Sequence, residues 1–141
     1  MFWKGVYELE QSRTILNYAR EKLKCEIAFH GDELCDLGAG EMGASIGARS
    51  VSHLEFVNDK SIEEMSKKRV AAILCPTTCY LLRLKCPPVR KLIQNQVPVV
   101  IASDYNPNAM CKYLKFFGNS SGTLREFFGN YKFYRLKIFI S

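Results

Sequence analysis

Three short polar segments hold the residues able to do chemistry: His30-Gly31-Asp32-Glu33, Ser52-His53-Leu54-Glu55 and Ser103-Asp104-Tyr105-Asn106-Pro107-Asn108. Each follows a short apolar run, so each belongs just past the carboxyl end of a β-strand. In stacked β/α units, binding and catalytic groups collect at that end. Neutral imidazole is a good ligand for a borderline metal, and a carboxylate completes a donor set suited to Zn²⁺ or Fe²⁺. A lone histidine after a strand is usually a satisfied structural residue. Two histidines and an aspartate at equivalent positions of consecutive units tip the balance toward metal-assisted hydrolysis. Glu33 has two readings: a group that binds substrate or orients a water, or, like Asp32, acidity at a helix N-terminus. The residues alone leave both open.

The elements that must position these groups follow from periodicity. Residues 12–24 read as an amphipathic helix with Ser12 as N-cap and Ile15, Tyr18, Ala19 and Leu23 on the inward face. A strand over Cys25–Phe29 ends at His30. Residues 38–48 form a Gly-rich helix with Met42 and Ile46 inward, and Val51 leads a strand to His53. Ser61-Ile62-Glu63-Glu64 fits a capping box, and Lys67-Lys68-Arg69 place positive charge at that helix's end. Val70–Cys75 is a near-continuous apolar strand of the buried parallel kind. Pro88 starts a helix running to about Gln96, and Val97–Ala102 is the last strand, with Pro98 near its start. The polar positions ending the four strands are His30, His53, Thr77 and Asp104, a spacing of 23, 24 and 27 residues. One strand, one helix and two short loops fill such an interval. The expectation is an α/β chain with four parallel β/α units and one shared catalytic edge.

Other chemistries fit less well. Asp104–Asn108 superficially resembles the start of a calcium loop, but Ala109 stands where glycine is required and Lys115 where a bidentate Glu belongs. Gly38-x-Gly40 lacks the context of a phosphate loop, and close helix–sheet packing explains the Gly-Ala stretch better. Thr77, Thr78 and Tyr80 either line the mouth or are ordinary loop residues after a strand. No Cys-x-x-Cys pair occurs among the six cysteines, which reads as buried or incidental thiols in a reducing compartment. No apolar run spans a membrane and no secretory segment is evident, so an intracellular, cytoplasmic protein is expected. Residues 1–111 hold fourteen basic and thirteen acidic side chains, while 112–141 hold six basic and one acidic, with nine of the aromatics. The net charge of +6 therefore describes the tail. Nucleic acid or membrane binding by this basic-aromatic stretch is the least favoured reading.

The segments Ile27–Leu34, Ile46-Gly47-Ala48, Ser52–Glu55, Pro76-Thr77-Thr78-x-Tyr80 and Ser103–Asn108, in this order, resemble imidazolonepropionase, a metal-dependent amidohydrolase of histidine degradation. The resemblance runs from about residue 5 to 111. It implies a partial TIM-like barrel, about four parallel β/α units from the second half of a (β/α)₈ amidohydrolase barrel. His30 and Asp104 would ligate a zinc or iron ion, one per complete site. Glu33 would contact substrate and position the water, and His53 would transfer protons or polarise the substrate. Asn106 and Asn108 would help hold substrate or product, and Asp104 would share in the proton shuttle. The implied reaction is hydrolytic ring opening of 4-imidazolone-5-propanoate to N-formimidoyl-L-glutamate. The resemblance also implies a small-molecule substrate and admits a homodimer in full-length members.

The family's His-x-His pair and its earlier substrate-clamping residues are absent here, and residues 112–141 do not align. Residues 1–111 are thus expected to be a partial barrel domain and 112–141 a tail, with this chain alone inactive. The alternative is a non-catalytic half-barrel that dimerises around a structural metal or ligand.

Overall fold

A computed structural model describes residues 8–106 and 137–138. Its elements are α1 (Leu9–Glu21), β1 (Ala28–Gly31), α2 (Ala39–Ser45), β2 (Ser50–His53), α3 (Asp59–Lys68), β3 (Ala71–Leu74), α4 (Pro76–Leu81), α5 (Val89–Gln94), β4 (Val99–Ile101) and β5 (Lys137–Ile138). All strand pairings are parallel, and the sheet order is β1-β2-β3-β4-β5. Strand order thus follows chain order without the reversal that defines a doubly wound sheet. Four such β/α units in one sheet are compatible with a partial TIM-like barrel of an amidohydrolase, as expected. No helix among the described residues is long and apolar enough to cross a membrane.

Register decides where the chemistry lands. Gly31 pairs with His53, and Ser52 with Ile73, so the carboxyl ends of β1, β2 and β3 lie side by side. The ladder continues past β4 through Ala102 N–H to the Leu74 carbonyl at 2.9 Å. Pro98 precedes β4, where its carbonyl still accepts from Ala72 N–H at 2.8 Å. That placement suits a residue with no N–H to give.

The core is built from β-branched and aliphatic side chains between sheet and helices. Val51, Leu54, Val70, Ala72, Leu74 and Leu92 are fully buried. Met42 and Ile46 face inward as periodicity predicts. The Gly-Ala stretch works as close-packing chemistry. A Cβ at Gly43 would stand 2.8 Å from Val51 Cγ2, and one at Gly40 would stand 2.6 Å from Ser61 Cβ. Glycine therefore lets α2 lie against both β2 and α3.

Several local expectations are corrected. Helix α1 starts at Leu9 with Glu8 as N-cap in a capping box with Gln11, so Ser12 lies inside it. Its inward face is Leu9, Leu16 and Ala19, whereas Ile15, Tyr18 and Leu23 are exposed. A helix at the margin of the core buries only a narrow stripe, and periodicity does not choose between neighbouring stripes. Helix α3 begins two residues before Ser61, because the Asn58 side chain caps it by accepting from Ser61 N–H at 2.7 Å. Ser61 is buried instead, and its hydroxyl accepts from Glu41 N–H at 3.3 Å. Pro88 is the N-cap of α5, just outside the helix. Thr77, Thr78 and Tyr80, open between mouth and loop in the sequence, lie in a helix, Pro76–Leu81, whose first position holds Pro76. Proline's fixed φ starts a helix there at no loss of a bonded N–H.

The boundary between 111 and 112 lies outside the described residues, and of the tail only Lys137–Ile138 is described. This pair runs parallel beside β4.

Gly31→Ala tests the packing. The added Cβ would sit 2.3 Å from Ala39 Cβ, between β1 and α2. Overpacking of this kind should lower stability by about 1–3 kcal/mol. Urea unfolding should show a lower midpoint at an unchanged slope. An unchanged midpoint would contradict the close approach.

Candidate metal centre

His30, the third residue of β1, and His53, the last of β2, meet at the shared strand edge. His30 Nδ1 lies 2.8 Å from His53 Nε2, with ring centroids 4.9 Å apart. Three residues past β4, Asp104 brings Oδ2 within 3.8 Å of the same Nε2. One donor atom from each of His30, His53 and Asp104 can be chosen so that all lie within 4.8 Å of one another. Glu33, on the loop after β1, places Oε2 3.9 Å from His53 Nε2. On the other side of the ring, Glu55 Oε1 lies 3.8 Å from His53 Nδ1.

The backbone is bent to achieve this. Asp32, His53, Leu54 and Asp104 all have φ between 48° and 78°. Non-glycine residues in the left-handed region are strained, and such residues cluster at functional sites. Two bonds hold the bends: Leu54 N–H to the Gly31 carbonyl at 3.2 Å, and Phe56 N–H to the Asp32 carbonyl at 2.8 Å. The first turn of α4 secures Asp104 from the other side. The Thr78 hydroxyl donates to Asp104 Oδ2 at 2.7 Å, and Thr77 donates to the Ser103 carbonyl at 2.5 Å.

Asp32 and Glu33, left undivided by sequence, separate here. Asp32 accepts from the backbone N–H groups of Leu37 and Ala39, which ties down the loop into α2. Burial pushes its carboxyl up to about 6 in spite of those donors. Glu33 is buried, and its Oε2 has no hydrogen-bond partner. Asn106 donates to the Asp104 carbonyl at 2.7 Å, in the turn leaving β4. Asn108 lies outside the described residues. Of the sequence candidates, the fold therefore gathers His30, Glu33, His53 and Asp104, with Asn106 beside them.

Glu55 is the residue that sequence reasoning passed over. It is 1% exposed, and neither carboxylate oxygen has a partner. In a continuing strand a residue two positions after His53 would share its face, but β2 ends at His53 and residue type alone did not single Glu55 out.

The electrostatics push the two histidines apart. Burial, then the neighbouring His53, lower the pKa of His30. Burial also opposes charge on His53, but Glu55, Glu33 and Asp104 together outweigh it and raise that pKa. Burial raises the pKa of Glu55. Three acidic groups surround two imidazoles, and no lysine or arginine pairs with them among the described residues. A divalent cation would neutralise this excess, and the mixed N/O donor set suits one. His30 and Asp104 would be the residues to hold such an ion, and it would supply Lewis-acid chemistry at this edge.

Comparison with known proteins now bears on this geometry. Over 108 residues, 77% of the chain, the sequence is 48% identical to the mouse and human proteins named probable imidazolonepropionase. Over 116 residues it is 42% identical to the Dictyostelium discoideum protein of the same name. This segment is similar to proteins named probable imidazolonepropionase. The chain spans about a quarter of the length of these relatives, 25% for mouse and human and 27% for Dictyostelium. No family model matches the sequence. The imidazolonepropionase relatives bear the name of a hydrolase.

Cys75 lies at the end of β3, under the acidic cluster. Burial, reinforced by Asp104, Glu55 and Glu33, drives its thiol far up, and burial takes Cys79 up to about 12. Thiolate is the reactive form, so both thiols should resist alkylation in the folded chain at about pH 8. Exposed Cys25 and Cys86 should be modified first. Mass mapping after a brief iodoacetamide pulse checks this, and equal labelling of Cys75 and Cys86 would refute the packing.

Proposed function

We propose that this chain supplies part of the site of an imidazolonepropionase-type hydrolase. The reaction is hydrolytic ring opening of 4-imidazolone-5-propanoate to N-formimidoyl-L-glutamate, in cytoplasmic L-histidine degradation. What supports the reading is the convergence of His30, Glu33, His53 and Asp104 at one strand edge of a segment that shares 42–48% identity with proteins of that name.

His30 and Asp104 would hold a zinc or iron ion, with Thr78 fixing the carboxylate of Asp104. Bound there, the ion supplies Lewis-acid activation of water and polarisation of the amide carbonyl. Glu33 has a buried, unpartnered oxygen ready to accept from a ring N–H or to orient the water. His53 carries a raised pKa between carboxylates, which suits it to hold a proton and deliver it to the leaving nitrogen. Asp104 takes part in the same proton relay. Asn106 and Asn108 offer amide groups to the polar ends of substrate or product. The partner is thus a small molecule.

A chimera tests this directly. The aligned segment of the mouse relative is replaced by the matching residues of this chain, and turnover of imidazolone propionate is followed. Turnover is expected to survive. In that chimera His53→Ala should lower kcat by about 10²–10⁴-fold, the range of positioned acid–base groups. His30→Ala should lose bound metal by elemental analysis. The 141-residue chain by itself should bind zinc weakly and show no turnover. A folded, metal-bearing chimera that retains full activity after His53→Ala would sink the assignment.

A further inference from the structure

We propose that Glu55 is a positioning residue that holds His53 in its Nδ1–H tautomer and so aims the Nε2 lone pair at the candidate centre. The proposal deepens the hydrolase reading, on which its functional meaning rests, but the tautomer itself can be measured without turnover.

The observation is a pair of buried polar groups facing each other. Glu55 is 1% exposed and His53 fully buried, and His53 Nδ1 and both Glu55 oxygens have no hydrogen-bond partner. A buried polar group left unpaired is costly, so nearly all such groups find partners. His53 Nδ1 and Glu55 Oε1 lie 3.8 Å apart. A small side-chain rotation closes that gap to a hydrogen bond. In that bond the Nδ1–H donates and the carboxylate accepts.

The local backbone explains why a residue only two positions on faces the same ring. His53 and Leu54 are both left-handed, with φ of 78° and 66°, which turns the chain back on itself. Bonds from Leu54 N–H to Gly31 and from Phe56 N–H to Asp32 fix the backbone on either side of Glu55. The ring's two nitrogens thereby serve opposite sides. Nδ1 faces Glu55, while Nε2 faces His30 Nδ1, Glu33 Oε2 and Asp104 Oδ2. A hydrogen bond at one imidazole nitrogen sets which tautomer the other presents. Carboxylates behind histidines commonly fix ring orientation and ligand basicity in this way.

Long-range ¹H–¹⁵N NMR on the labelled, metal-free 141-residue chain reads the tautomer at pH values where both imidazoles are neutral. The expected result is Nδ1–H for His53 in the unaltered protein and in Glu55→Gln, whose amide oxygen still accepts. In Glu55→Gln the Nδ1 proton should move upfield, because a neutral acceptor replaces a charged one. In Glu55→Leu, where no acceptor remains, the ring should lose its Nδ1–H preference. An Nε2–H tautomer in the unaltered chain overturns the proposal, as does an Nδ1–H signal indifferent to both substitutions. If Glu55→Leu does not fold, the unaltered tautomer and the Glu55→Gln shift decide the matter. A Glu55-dependent tautomer in a chimera without turnover would remove the hydrolase reading and leave this assignment standing.

Discussion

The constraint on which everything else depends is the parallel register of β1, β2, β3 and β4. Backbone hydrogen bonds between parallel strands fix relative position to the residue, because a slip of one would send every side chain to the other face. With Gly31 opposite His53, the imidazoles of His30 and His53 come into contact although 23 residues separate them. With Leu74 opposite Ile101, the chain leaving β4 carries Asp104 to the same edge. No local interaction could assemble these groups. The site is a by-product of sheet pairing, and so is its proximity to Thr77 and Thr78 at the start of α4.

Placing so many acids and imidazoles in the interior runs against the ordinary tendency to leave charge in water. Burial disfavours each ionised form, and in His53 that tendency is overcome only because three carboxylates act on one ring. The strain follows the same logic. Left-handed residues at 32, 53, 54 and 104 all sit where a strand gives way to a loop of the site. A chain optimised for stability alone would have glycine at such bends and neutral residues beneath them. Side chains that bind or react are retained there, and packing around them supplies the rigidity that holds the bends.

That packing depends on small residues as much as on large ones. Gly31, Gly40 and Gly43 let α2 approach the sheet and α3 closely, and Ala39 fills what remains. The loop between β1 and α2 is fastened by Asp32, whose carboxylate satisfies the amides of Leu37 and Ala39. Two adjacent acids therefore have separate work: Asp32 bonds the backbone, and Glu33 keeps an unpaired oxygen toward the centre.

Sequence by itself determined the succession of four strand-and-helix units and the polar residues that end the strands. Apolar runs of strand length and amphipathic stretches of helix length are local properties, and the 23-to-27-residue interval follows from them. The same patterns could not place the ends of α1 and α3 or the inward stripe of α1. Those depended on whether Glu8 or Ser12, and Asn58 or Ser61, found a backbone amide to cap, and on how little of α1 the core could cover. Nor could they show that Pro76–Leu81 is a helix whose threonines anchor Asp104 and its strand exit. Only the tertiary structure decided which side of His53 each acid would face. Glu55 lies two residues away along the chain, Glu33 and Asp104 are far from it in sequence, and all three lie within 4 Å of the ring. Sheet register and two left-handed backbone angles set those distances, and neither is written in residue type or spacing.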